Sequence, residues 1–112
     1  MATVTQTQLV LTQLMPAVDT TYFTAGANTT VKIGRAVFTN TSAAVVTLTV
    51  GITAGVALVA GNTLISARSL APGESYVSPE LAGQVILAAS QLHGITGTIN
   101  VITISISGLT IV

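Results

Sequence analysis

His93 is the single histidine of this 112-residue sequence, and with the acids Asp19, Glu74 and Glu80 it makes up the side chains suited to moving protons near neutral pH. Nucleophilic catalysis needs a base beside the nucleophile and a third group that orients the base. Asp19 precedes a predicted strand, and nothing in the spacing brings it to His93 and a serine. Gly73-Glu74-Ser75-Tyr76-Val77 lacks the closing glycine of a nucleophile elbow. His93 is expected as a loop or interface histidine.

Glu74 and Glu80 have the chemistry of a glycosidase carboxylate pair, which works from two sides of one bond. Glu74, however, falls in a Pro-Gly turn, and Glu80 follows Pro79, where a carboxylate complements a helix N-terminus. Neither is expected to be buried. One histidine and three scattered acids give no metal-ligand spacing, and the absence of cysteine excludes disulfides, thiolate chemistry and sulfur-based zinc sites. Gly94-Ile95-Thr96-Gly97 matches a short GxxG loop of RNA-binding domains, but flanking helices and nearby basic residues are missing, so a hairpin turn is expected there. Asn28-Thr29-Thr30 and Asn40-Thr41-Ser42 fit the glycosylation sequon and read as turn residues. No catalytic, cofactor-binding or metal-binding residue is expected, and no enzymatic activity.

The elements that would position such residues are strands. Only 5% of the residues are charged while 50% are hydrophobic, against roughly 25% charged in an ordinary soluble domain. Asp19, Lys32, Arg35, Arg68, Glu74 and Glu80 are too few to cover a monomer's surface with charge, so much of that surface is expected to lie against protein. The formal net charge of zero gives no basic field for nucleic acid. The segment 43–61 is uncharged and long enough for a membrane span, yet Val46, Leu48, Val50 and Ile52 alternate with Thr47, Thr49 and Gly51 in strand period, and no interfacial anchors bracket it. A strand is expected there, with no membrane insertion. The N-terminus shows no basic region followed by an apolar one, so synthesis in a cytoplasm is expected.

Thr, Val and Ile are stiff at χ1 and suit a pleated surface. Residues 31–39 read as a strand whose core face is Val31, Ile33 and Val37 or the neighbouring parity, with Arg35 complicating the choice. The small polar residues 40–44 read as a hairpin turn into a strand from Val45 to Ile52. A strand at 63–70 ends at Pro72-Gly73, and further short strands follow at 75–78, 85–87 and 92–96. Pro79 to Gly83 is expected to make one helical turn. In the last strand, from near Thr98, Ile102, Ile104 and Ile106 share a face; the apolar parity flips to Leu109 and Ile111 after Gly108, which predicts a bulge over 107–109. Residues 1–8 are expected as an extended N-terminal arm ordered by a partner. The chain is thus expected to be one domain over residues 1–112, an all-β antiparallel β-sandwich, jelly-roll-like, of seven or eight strands.

Thr39-Asn40-Thr41-Ser42-Ala43-Ala44, Gly61-Asn62-Thr63-Leu64-Ile65, Leu70-Ala71-Pro72-Gly73-Glu74-Ser75-Tyr76 and Pro79-Glu80-Leu81-Ala82-Gly83-Gln84-Val85 together resemble small virion structural proteins of tailed bacteriophages, over roughly residues 20–112. The resemblance implies a capsid cement or decoration protein in the virion, whose partner is the major capsid protein or another virion protein. The alternative that it implies is a tail, fibre, baseplate or adaptor subunit. It transfers no catalytic residue, and where related sequences place Gly-Asp this chain has Ala88-Ala89-Ser90-Gln91. The apolar composition implies a homo-oligomer, trimer or dimer. A carbohydrate-binding module is the reading from another class, and the absence of tryptophan counts against it.

Overall fold

The computed structural model describes residues 3–112, and its strands follow the β-branched runs. In chain order they are β1 (Val4–Leu14), β2 (Thr20–Thr24), β3 (Thr30–Asn40), β4 (Val46–Thr53), β5 (Thr63–Leu70), β6 (Ser75–Val77), β7 (Val85–Ile86), β8 (Gln91–Thr96) and β9 (Ile102–Ile111). One antiparallel sheet has the order β1-β9-β3-β6, with β7 also on β3, and the second has the order β2-β8-β4-β5. The chain therefore pairs as a long hairpin, β1 with β9, β2 with β8, β3 with β6 and β7, β4 with β5, rolled so that β9 also meets β3 and β8 meets β4. That rolled pairing is the jelly roll. Nine strands among the described residues fill eight positions, because β6 and β7 share one edge, against the seven or eight strands expected.

The two inner faces meet in a core of Val31, Ile33, Ala36, Phe38, Leu48, Val50, Leu70, Leu92, Ile102, Ile104 and Ile106, all nearly or fully buried. Phe38 is the largest of these side chains. Burial of this kind supplies roughly 25 cal/mol per Å² of apolar surface, the main drive for a chain with so few charges.

Several local expectations are corrected. The residues 40–44 do not close a hairpin, because β3 and β4 lie in different sheets and the turn carries the chain across the core. Asn40 is fully buried and organises the crossing: its Nδ2 donates to the Ala44 and Leu70 carbonyls at 2.8 and 3.0 Å, and its Oδ1 accepts from Ser42 N–H at 3.0 Å. Core parity on β3 passes from Val31 and Ile33 to Ala36 and Phe38, so Val37 is not a core residue. An extra residue at Gly34 causes the shift. Gly94 to Thr96 are strand β8 rather than a hairpin turn, and β8 and β9 belong to different sheets.

Pro79 to Gly83 form hydrogen-bonded turns without a helix, and the helical element among the described residues is a 3-10 turn at Ala60–Asn62. Ser78 Oγ caps the Pro79 turn by accepting from Leu81 N–H. The final strand begins at Ile102, and β9 itself keeps its alternation through Gly108. The irregularities lie on both neighbours, between Gln8 and Val10 on β1 and between Ile33 and Arg35 on β3. Gly108 permits that arrangement, since a Cβ there would stand 2.1 Å from the Lys32 carbonyl oxygen.

Residues 4–8, expected to await a partner, pair with β9 from Val4 opposite Ile111 to Gln8 opposite Ser107. Residues 1 and 2 of that expected arm lie outside the described residues. The molecule is elongated, 49 × 25 × 20 Å. Among the described residues no helix is long and apolar enough to cross a membrane.

Candidate functional site

Most of the ionisable side chains gather in two clusters, and Arg35 lines an open depression. The first cluster surrounds His93, which sits on β8 rather than on a loop and is 6% exposed. Its Nδ1 meets Asp19 Oδ1 at 2.9 Å, and its Nε2 faces Gln91 Oε1 at 2.7 Å and Thr21 Oγ1 at 3.1 Å. Asp19 comes from the β1–β2 connection, 74 residues away in sequence. Its second oxygen accepts the Leu58 N–H at 3.1 Å, which ties down the β4–β5 loop.

That loop covers the outer face of β4 and β8 because Gly51 leaves room for it. A Cβ at Gly51 would fall 2.2 Å from the Asn62 carbonyl oxygen and 2.8 Å from Leu58 Cδ2. Asn62 braces the same loop from within, with its Oδ1 accepting from Val59 N–H at 2.9 Å and its Nδ2 donating to the Ala57 carbonyl at 3.0 Å.

Asp19, His93 and Thr21 thus stand as orienter, base and hydroxyl, a constellation the sequence did not announce. Gln91 occupies the same imidazole edge as Thr21, and the carboxylate is shared with a backbone amide, so His93 acts as a three-way fastener. Tyr22, on the same strand as Thr21, buries its hydroxyl without a hydrogen-bond partner among the described residues, and burial pushes it up to about 12.

The second cluster joins the two sheets at the β5–β6 end. Glu80 accepts the Tyr76 hydroxyl on both carboxylate oxygens, with Oε2 at 2.6 Å. The Arg68 guanidinium stacks 3.9 Å from the centre of the Tyr76 ring, a cation–π contact between β5 and β6. The hydrogen bond from Tyr76 holds the Glu80 carboxyl below its ordinary range, and burial followed by the neighbouring Glu80 raises the Tyr76 hydroxyl above its own. Glu74 accepts from the Ala71 N–H at 2.7 Å inside its turn, while Glu80 is held by Tyr76.

The depression, of about 620 Å³, lies where the irregularities of β1 and β3 flank β9. It is lined by Gln6, Thr7, Gly34, Arg35, Ser107, Gly108 and Leu109. It is open, and Arg35 is the one charged residue among those that line it. No group of three or more potential metal ligands occurs among the described residues.

The strand order and the inward Ile/Val/Leu faces define an all-β jelly-roll sandwich. The sequence matches no protein-family model, and no curated protein is similar to it in sequence. Similar solved structures come from particles of infectious bursal disease virus. The chain matches the VP2 subviral particle over 99% of its length, with a TM-score of 0.56 and 20% identity, covering 32% of that chain. It matches the T13 viral particle, described in the context of icosahedral virus evolution, over 98% of its length with a TM-score of 0.54 and 18% identity, covering 30% of that chain. The Gx strain gives a TM-score of 0.51 and 21% identity over 99% of this chain and 32% of the other. This likeness establishes a fold shared with viral particle proteins, of which this chain spans less than a third. The three structures belong to an icosahedral virus and not to a tailed bacteriophage.

Proposed function

We propose that this chain is a structural protein of a virion that works by packing against other protein and catalyses no reaction. The observation that carries this reading is a jelly roll of viral-particle type whose surface holds only three acids and three bases. Exposed Val4, Leu11, Leu14, Val18, Val56, Val59, Leu87 and Ile99 add apolar area that a protein interface can cover. The ionisable clusters act as internal fasteners and leave no base poised beside an open cleft.

Within that role the chain is a capsid cement or decoration protein of a tailed phage, bound to the major capsid protein of the assembled head as a dimer or trimer. The phage assignment rests on the turn motifs of the sequence. Electron cryomicroscopy of purified particles tests it by locating the density. Copies in the hundreds over the head support cement, whereas about 3 to 12 copies place the chain in the tail as a fibre, baseplate or adaptor subunit. Absence from the particle overturns the proposal.

A further inference from the structure

We propose that β1 is a self-association edge, pairing antiparallel with β1 of a second copy about a two-fold axis that passes through Gln6. The inference deepens the self-associating part of the function proposed above and rests on it.

A sheet edge presents unpaired N–H and C=O groups, and proteins commonly guard such edges with charge, proline, bulges or short strands. The other three edges of this molecule are guarded. On β3 the edge is split into β6 and β7, of three and two residues, with Glu80 and Pro79 between them. Strand β5 carries Arg68 and is broken opposite β4 beside Ala67, whose φ of 44° is left-handed. Strand β2 has five residues and a register break between Thr21 and Phe23. Along β1, residues Val4, Thr5, Gln6, Thr7 and Gln8 run without charge, proline or bulge, and all five are exposed.

The hydrogen-bond parity of this segment selects a register. Thr3 and Val112 exchange both backbone bonds, at 2.8 and 2.9 Å. By antiparallel alternation Thr5 and Thr7 also turn their backbone groups toward β9, and Val4, Gln6 and Gln8 turn theirs toward solvent. An axis through Gln6 sets Gln6 opposite Gln6 of the partner subunit and Val4 opposite the partner's Gln8. Every one of these positions then exchanges both bonds with its mate. The same axis sets Thr5 opposite the partner's Thr7 in a close non-hydrogen-bonded pair, where threonine hydroxyls bond well across strands.

The occupant is a second copy because the segment complements itself. No charge meets a like charge, and one isologous contact closes the same open edge on both molecules. It also joins the two β1-β9-β3 sheets into one continuous sheet, with both outer faces on the same side.

Size-exclusion chromatography with light scattering on the full chain tests the pairing. The native sequence is expected at twice 11.3 kDa. Gln6→Pro removes an outward N–H without touching the bonds to β9, and is expected to weaken association at least about tenfold with an unchanged circular dichroism spectrum. Gln6→Lys and Gln6→Glu place like charges across the axis and are each expected as monomers, while their mixture restores a dimer of one with the other. This exchange decides the matter even where Gln6→Pro does not fold. A native chain that stays at 11.3 kDa, or an oligomer indifferent to all three substitutions, overturns the pairing. Either result leaves the location of the protein in the particle to be judged by microscopy on its own.

Discussion

His93 Nδ1 and Asp19 Oδ1, 2.9 Å apart, join β8 to a connection 74 residues away, and the same carboxylate holds the Leu58 N–H. Asp19→Ala removes both attachments and is expected to cost about 1–3 kcal/mol, because His93 is left buried without its partner. Hydrogen exchange at Leu58 should accelerate. Asp19→Asn keeps an oxygen for Leu58, so that amide should stay protected in this variant. Equal exchange in both variants would show that the loop is held by something other than Asp19.

The strands of this fold are legible in the sequence because alternation reports which face is apolar. Ile102, Ile104 and Ile106 declare their burial without help. What alternation does not report is which sheet a strand joins. Asn40-Thr41-Ser42 has the chemistry of a tight turn in either case, and it serves here as a corner between sheets because Asn40 can also reach the Leu70 carbonyl. The Asp19–His93 contact was equally hidden, since it depends on β2 and β8 being neighbours. Gly51 offered a signal: a glycine inside an apolar strand marks the close approach of another backbone.

Asn40 satisfies two carbonyls and a backbone amide in a place that water does not reach. Asn40→Ala should therefore lose about 2–4 kcal/mol, read as a lower urea midpoint. Asn40→Asp should lose at least as much at neutral pH, since a carboxylate would face the Ala44 and Leu70 carbonyl oxygens. If Asn40→Asp proved as stable as the native chain, the donor role of Nδ2 would be wrong.

Gly108 tests the convergence of irregularities around β9. An added methyl would meet the Lys32 carbonyl at 2.1 Å and the Gly34 amide nitrogen at 3.1 Å, both backbone atoms that cannot rotate away. Gly108→Ala should cost about 2–4 kcal/mol by forcing β3 and β9 apart. Gly61→Ala, which meets nothing within 4 Å, serves as the control and should melt within about 0.5 kcal/mol of the native chain. Similar losses in the two variants would assign the effect to helix and strand propensity rather than to the clash.

The Tyr76–Glu80 bond makes a pH prediction with a definite sign. The Tyr76 hydroxyl holds Glu80 below its ordinary 4.5, so the folded state binds that proton less readily than the unfolded chain. Stability from Glu80 is fully present above the unfolded value and is lost as pH falls through the lower folded value. At the other end Tyr76 is raised above its ordinary 10.0, first by burial and then by Glu80, and its contribution persists below 10.0 and is lost as pH rises through the folded value. Tyr76→Phe keeps a ring under Arg68 but removes the donor. The stability gap between native and Tyr76→Phe chains, measured by urea unfolding, should be widest at neutral pH. It should narrow on the acid side below 4.5 and on the alkaline side above 10.0. A gap that does not change with pH would mean that the Phe variant loses packing alone.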